Sequence, residues 1–188
     1  QDVGLKLNFY QFFTEAELRD IYEQNNERMW LCNGLAPDNY GVTQRTALSL
    51  WHNIVAEVNH ALQSELTATL RFGHDTPLYR LLALLGPDNL SDEQKDQMDQ
   101  LIPMAANLQI VFYYNPDKAQ KPLKPQQVIV KFMLNEREIR LSKVRSLDVG
   151  PDGKTGYYYR WDHVLNYVEN RIANAEALKN MATINTLV

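Results

Sequence analysis

The sequence has little of what marks a disulfide scaffold, a membrane span or a nucleic-acid-binding protein. Cys32 is the single cysteine among 188 residues, so no internal disulfide can form and the redox compartment stays undetermined. No apolar run approaches the roughly 20 residues that cross a bilayer, and no signal peptide is recognisable. The net charge of −4 gives no reason to expect nucleic acid or a membrane as a partner.

The remaining composition is that of an ordinary globular protein, with 45% hydrophobic and 22% charged residues. This length allows one domain with its own core, or part of a larger domain. Because the first residue is Gln1, we expect a processed or truncated N-terminus. We divide the chain into a helical cap-like segment with a loop at residues 1–42 and an α/β portion at residues 43–188, which together form a single partial domain.

Hydrophobic periodicity predicts the main elements. Apolar residues at three- and four-residue spacing predict long amphipathic helices over Thr43–Ser64 and Trp161–Asn180. Apolar or alternating runs predict strands at Leu108–Tyr114, Val128–Leu134 and Arg137–Leu141. The expected fold class is therefore α/β, with about three to five strands and long flanking helices.

Helix boundary signals add detail at three places. Thr14 and Glu17 have the spacing of a capping box, and Asn33-Gly34 predicts a left-handed stop for the helix that follows Thr14. A second capping-box pattern lies at Ser91–Gln94.

The stretch from Thr67 to Gly86 carries the candidate chemistry. Thr67–Phe72 is apolar and β-branched enough to predict a buried strand. Gly73 then permits a tight turn, Thr76 has the character of an N-cap, and Pro77 suits the first position of a helix. Gly86-Pro87 is predicted to end that helix.

His74 and Asp75 are thereby placed between the end of a strand and the start of a helix. In open α/β sheets ligands bind at this point, and a helix N-terminus favours anions. An imidazole can hold a phosphoryl oxygen, and a carboxylic acid can protonate a leaving oxygen. The alternative is that Asp75 only helps cap the helix and that His74 is packed in the core.

Other candidates are interpreted as structural. His52 and His60 are about 12 Å apart along one helix, so they form no metal pair. We expect both to be surface or interface residues, and we expect no metal site. His163 beside Asp162 lies inside a helix pattern. The three lysines of the 115–125 loop are expected to be solubilising rather than to steer a substrate, and the glycine-rich loop at 149–156 lacks the spacing of a phosphate-cradling P-loop.

An ordered set of segments resembles the histidine acid phosphatases, branch two of the histidine phosphatase superfamily, which includes phytases, glucose-1-phosphatases and multiple inositol polyphosphate phosphatases. The set consists of Leu70–Thr76 with Leu81–Gly86, then Ile102–Tyr113 and Val128–Glu136. The resemblance extends from about Met29 to Ala173.

The resemblance implies a mixed-sheet, three-layer fold and a phosphohistidine mechanism with no cofactor. It implies that His74 contacts the transferring phosphoryl oxygens and that Asp75 protonates the leaving alcohol and later deprotonates water. Thr76 would contact the substrate. It further implies a phosphate monoester substrate, inositol or sugar phosphates, and a periplasmic or secreted location.

One part of the family pattern is absent. The nucleophilic histidine of these enzymes lies in an Arg-His-Gly-x-Arg motif, and this sequence contains no Arg-His-Gly. We therefore expect the chain to be the C-terminal portion of such an enzyme, inactive alone and partnered by the missing N-terminal portion or by a homo-oligomer partner. Pro77 stands where phytase-like members often carry Asn, which leaves phytate specificity open. The alternative is a non-catalytic α/β fragment or binding module that has lost phosphatase activity.

Overall fold

The computed structural model describes residues 8–34, 36, 39, 41–65, 68–88, 90 and 98–185. Helices and a small sheet form its framework. The helices are α1 (Glu15–Asn33), α2 (Val42–Thr46), α3 (Leu48–Gln63), α4 (Asp75–Leu85), α5 (Met98–Leu101) and α6 (Trp161–Asn185). The strands are β1 (Leu108–Tyr113), β2 (Ile129–Leu134), β3 (Arg137–Glu138) and β4 (Tyr159–Arg160). The general α/β class is confirmed.

The sheet is built around β2, because β1, β3 and β4 all pair with it in antiparallel fashion. Asn135 and Glu136 form the turn between β2 and β3 with φ of 49° and 62°, the left-handed conformation that suits a tight hairpin. The predicted strand over Arg137–Leu141 is real only for its first two residues. Within the described residues no parallel pair occurs, so this part of the sheet is not itself mixed.

The capping box at the start of α1 is confirmed. The Thr14 hydroxyl accepts a hydrogen bond from the Glu17 amide at 3.2 Å, and the Glu17 carboxylate accepts one from the Thr14 amide at 2.7 Å. The helix ends at Asn33, but the predicted left-handed stop is wrong, since Gly34 has a φ of −92°. Glycine is needed there for another reason: a Cβ would lie 2.6 Å from the Trp30 ring.

The long helix predicted over Thr43–Ser64 is confirmed with one interruption. At Ala47 the main chain turns between α2 and α3, and the Ala47 amide donates to the Gln44 carbonyl at 3.2 Å. The apolar face of α3 is buried through Trp51, Val58 and Leu62. His52 and His60 are exposed, as predicted.

The core lies between α4, β2 and the first turns of α6. Leu82–Leu85 of α4 and Val130, Phe132 and Trp161 have no exposed surface. Gly86 ends α4 in the left-handed conformation, with a φ of 60°, as predicted. The Arg171 guanidinium of α6 donates to the carbonyls of Ala83 and Leu84 at 2.7 and 2.6 Å, so α6 satisfies carbonyls that the helix end leaves free.

The predicted buried strand over Thr67–Phe72 is wrong. Thr67 lies outside the described residues, as does the predicted capping box at Ser91–Gln94, and residues 68–74 belong to no helix or strand. Leu70 and Phe72 are 82% and 93% exposed. The physical reason is that a strand needs a neighbour for its main-chain groups, and no described strand lies beside this segment.

No helix within the described residues combines the length and the apolar character that a bilayer span requires.

Candidate functional site

The candidate site lies at the N-terminus of α4. The helix begins at Asp75 with His74 as its N-cap, two residues before the predicted N-cap Thr76. Pro77 is therefore the third helical residue rather than the first, a position that still requires no amide hydrogen bond. The helix starts earlier than predicted because the Asp75 side chain bonds to a residue of the first turn. Its carboxylate accepts hydrogen bonds from the Thr76 amide at 2.6 Å and the Thr76 hydroxyl at 3.2 Å.

His74 and Asp75 are both exposed, and Thr76 is half-buried. The exposure of His74 excludes its interpretation as a core histidine, while the bonds of Asp75 to Thr76 agree with a role at the helix start. His74 has an extended main chain and its imidazole caps no amide of α4. The three predicted site residues are thus brought together at one helix end, facing solvent.

The helix that presents them is rigidly held. Its residues from Leu81 to Leu85 are buried, and the buried phenol of Tyr79 donates to the Met98 carbonyl at 2.5 Å. Burial, together with the negative charges of Asp75 and Asp99, raises the pKa of Tyr79 to about 12, so this anchor stays neutral. The helix dipole makes the exposed end favourable for an anion. Among residues 75–77 the Thr76 amide already donates to Asp75 and Pro77 has no amide, which leaves the amide of Asp75 for such an anion.

The segment that leads to His74 is attached to α3 by one of its faces. The Arg71 guanidinium donates to the Asn53 side chain at 2.5 Å and lies 2.7 Å from the Glu57 carboxylate. The hydrogen bond from Arg71 is the main reason that the pKa of Glu57 is lowered, and one from Thr69 adds to it. Thr69 and Arg71 therefore face α3.

The opposite face of this segment is apolar and uncovered. Leu70 and Phe72 alternate with the residues that face α3 and point into solvent. Among the described residues, no main-chain hydrogen bond reaches positions 68–73. The segment thus has the side-chain alternation of a strand without the pairing of one.

A second polar cluster, which the sequence analysis missed, fixes the 150–156 loop to the sheet. Lys131 of β2 is only 9% exposed, and its ammonium donates to the Tyr158 hydroxyl at 3.2 Å and to the Glu138 carboxylate at 3.3 Å. Lys154 donates to the same carboxylate at 2.9 Å. The signal in the sequence was a single lysine in the middle of an apolar strand.

The pKa shifts of Lys131 and Glu138 indicate that this cluster stabilises the fold and does not carry out chemistry. Burial alone would lower the pKa of Lys131, but its hydrogen bonds to Tyr158 and Glu138 outweigh burial and the pKa is raised. The pKa of Glu138 is lowered, mainly by the hydrogen bond from Lys154. Lys131 is therefore charged and partnered, which does not suit a nucleophile.

The sequence also led us to expect no metal site and to expect that the lysines of the 115–125 loop are solubilising. No group of three or more possible metal-ligating side chains occurs among the residues that the structure describes. In the 115–125 loop, the Lys121 ammonium donates to the Ser64 carbonyl and lies 3.7 Å from Glu65, so this lysine attaches the loop to the end of α3.

No protein-family model matches the chain, and none of the curated proteins matches it.

Proposed function

We propose that this chain is the C-terminal portion of a histidine acid phosphatase that hydrolyses phosphate monoesters through a phosphohistidine intermediate. In this proposal the described sheet belongs to a larger mixed-sheet, three-layer fold, and the nucleophilic histidine comes from the missing N-terminal portion. The substrates are inositol phosphates or sugar phosphates, and the location is periplasmic or secreted. These finer statements rest on the resemblance of the His-Asp segment and its downstream stretches.

One observation carries the proposal. A His-Asp pair is exposed at the N-terminus of a buried helix, directly after a segment whose apolar side chains and main chain have no partner among the described residues. Soluble proteins seldom leave an alternating apolar segment uncovered. The pair therefore lies where a further layer of polypeptide is expected, which supports a site completed by another part of the enzyme.

His74 acts first on the phosphoryl group in this mechanism. Its imidazole donates a hydrogen bond, or when protonated a charge, to the equatorial oxygens of the transferring group. Negative charge is spread over these oxygens in the transition state, so a donor fixed beside them lowers the barrier. The dipole of α4 adds to this stabilisation at the N-terminus of the helix.

Asp75 is the general acid and then the general base of this mechanism. It gives a proton to the leaving alcohol oxygen as the P–O bond breaks, and its carboxylate then takes a proton from the water that attacks the phosphohistidine. The Thr76 amide and hydroxyl both donate to the Asp75 carboxylate, which holds it at the start of α4 beside the place proposed for the substrate.

The proposal is tested in two steps. The coding sequence upstream of Gln1 is read for an Arg-His-Gly-x-Arg motif, and the complete protein is assayed on p-nitrophenyl phosphate and phytate. We expect turnover by the complete protein and none by the 188-residue chain. Turnover by the purified chain alone would contradict the incomplete site, and a complete protein without the motif or without turnover would remove the phosphatase proposal.

The second candidate is a non-catalytic anion-binding module on the same scaffold. It is favoured by the engagement of the Asp75 carboxylate with Thr76, which is the contact of a helix-start residue and needs no catalysis. In that case the complete protein binds phosphate at the α4 terminus without hydrolysing any ester.

A further inference from the structure

A cavity of about 400 Å³, open to solvent, is lined by residues of the 140–148 segment and of the 155–159 segment. It lies between the segment that follows β3 and the loop that precedes β4. Its polar lining comes from Arg140, Ser142, Ser146, Asp148 and Thr155, with Tyr159 behind them. The volume falls in the range of small-molecule sites.

The cavity is separate from the candidate phosphatase site. Asp88, three residues after the end of α4, donates its amide to the Arg140 carbonyl at 3.0 Å and accepts from the Ser142 amide at 3.2 Å. This wall of the cavity is thus attached to the C-terminal end of α4, whereas His74 precedes its N-terminal end. The 11 residues of the helix separate the two by roughly 16 Å.

Arg140 is held in place without being neutralised. Its guanidinium lies over the Tyr157 ring, 5.3 Å from the ring centre. Gly156 approaches from the loop with a φ of +83°, so closely that a Cβ there would lie 3.1 Å from an Arg140 nitrogen. Among the described residues no carboxylate pairs with this guanidinium. A stacked, exposed guanidinium retains its forked donors for a planar or tetrahedral anion.

The remaining lining combines the apolar residues Leu141, Val144 and Leu147 with polar groups that can bond hydroxyls. Tyr159 is already engaged, since its hydroxyl accepts from the Leu141 amide at 2.8 Å and donates to the Gly156 carbonyl at 3.0 Å. These two hydrogen bonds connect the cavity wall at Leu141 to the cavity wall at Gly156. The Asp148 carboxylate repels a ligand that carries several negative charges, but it accepts hydrogen bonds from hydroxyls. The hydroxyls of the lining serine and threonine residues can donate or accept hydrogen bonds.

We propose that this cavity binds a small polyhydroxylated compound that carries one phosphate or carboxylate group. The anionic group contacts Arg140, and the hydroxyls of the compound contact Asp148, Ser142, Ser146 and Thr155. This site is independent of the phosphatase proposal, because it shares no residue with the His-Asp pair and needs no missing portion of the protein.

The test is an NMR titration of the 188-residue chain with glucose 1-phosphate, gluconate, glucose and inorganic phosphate. The readouts are the amides of Thr155 and Gly156 and the side-chain Nε–H of Arg140. We expect the two hydroxylated anions to shift these signals and to bind more tightly than glucose or phosphate alone. The comparison of glucose 1-phosphate with gluconate decides between phosphate and carboxylate.

Variants supply the second arm. Arg140→Gln is expected to weaken binding of the preferred anion by about tenfold, the loss of one charge-assisted fork, and Arg140→Lys by less. The matched control is Arg137→Gln, an exposed arginine outside the cavity, which should leave binding unchanged. Asp148→Asn should reduce the advantage of the hydroxylated anions over inorganic phosphate.

Three results would overturn the inference: no saturable shift with any probe, equal weakening by the Arg140 and Arg137 variants, or shifts confined to the amides of His74–Thr76. The last result would leave the phosphatase proposal standing. Amide spectra of each variant with wild-type dispersion establish that it is folded, and Arg140→Lys, which keeps the charge and the stacked stem, serves if Arg140→Gln does not fold.

Discussion

The guanidinium of Arg71 lies 2.7 Å from the carboxylate of Glu57, and this pair attaches the segment before His74 to helix α3. The two side chains are 36% and 37% exposed, so solvent screens the pair and its contribution to global stability is small. Its effect is local: it orients one face of the segment toward α3 and leaves Leu70 and Phe72 on the other.

Glu57→Gln should therefore loosen the segment without unfolding the protein. We expect lower NMR order parameters at the amides of residues 69–73 and a melting temperature close to that of the wild type. Glu23→Gln, at an exposed position of α1, is the control and should change neither. Unchanged order parameters at 69–73 in the Glu57 variant would mean that the ion pair does not position the segment.

Phe72→Ser should change the free energy of unfolding differently in the 188-residue chain and in the proposed complete protein. Phe72 is 93% exposed, so in the 188-residue chain the free energy of unfolding should change by no more than about 0.5 kcal/mol. If a further portion of the protein covers this face, as the proposed function requires, the same substitution in that longer protein should cost about 3 kcal/mol or more. Met104→Ser, at a position that is 99% exposed, is the control, and chemical denaturation is the measurement. Equal, small effects of Phe72→Ser in both proteins would contradict a covered segment.

Gly41→Ala tests a contact between α2 and α6. Gly41 has a φ of +73°, and a Cβ there would lie 2.9 Å from Ala175. We expect a loss of about 2–4 kcal/mol, from left-handed strain together with the clash. Gly153→Ala is the matched control, since Gly153 has a φ of +81° but open space around it, and should cost about 1 kcal/mol. A Gly41 variant no less stable than the Gly153 variant would remove the packing part of this explanation.

The carboxylate of Glu138 makes the 150–156 loop sensitive to acid. Because its pKa is lowered in the folded state by Lys154 and Lys131, the stabilisation is fully present above the ordinary value of 4.5 and is lost as the pH falls through the lower folded pKa. Wild-type protein should be more stable than Glu138→Gln at pH 7, and the difference should shrink below pH 4.5. Denaturation curves of both proteins across this range measure it, and a difference that does not vary with pH would contradict the ionic origin.

A structural feature could be predicted from the sequence when the residues that produce it lie close together in the chain. The capping box at Thr14, the end of α4 at Gly86 and the apolar face of α3 depend on residue types within one helix or at its end, and each was predicted. The strand predicted before His74 is absent, because a strand forms only beside a neighbouring strand, and the sequence pattern of one segment does not show whether that neighbour exists. The need for glycine at Gly34 depends on the position of the Trp30 ring, which lies on the preceding turn and shows no pattern.

The candidate site shows the same division. The proximity of His74, Asp75 and Thr76 follows from their adjacency in the chain, and the helix start was predicted to within two residues. The cavity at Arg140 brings residues 140–148 beside residues 155–159 through the pairing of β2 with β3 and β4. No local spacing predicts such a meeting, so sequence reasoning described the glycine-rich loop only as a connection.

The central claim is that Asp75 protonates the leaving group, and the dependence of turnover on leaving-group pKa in the complete protein tests it most directly. Asp75→Asn should be slowed far more on an alkyl phosphate, whose alkoxide needs a proton, than on p-nitrophenyl phosphate, which leaves without one. Asp117→Asn, an exposed aspartate in the β1–β2 loop, should match the wild type on both substrates. Equal slowing of the Asp75 variant on both substrates, or full turnover on the alkyl phosphate, would contradict the assignment.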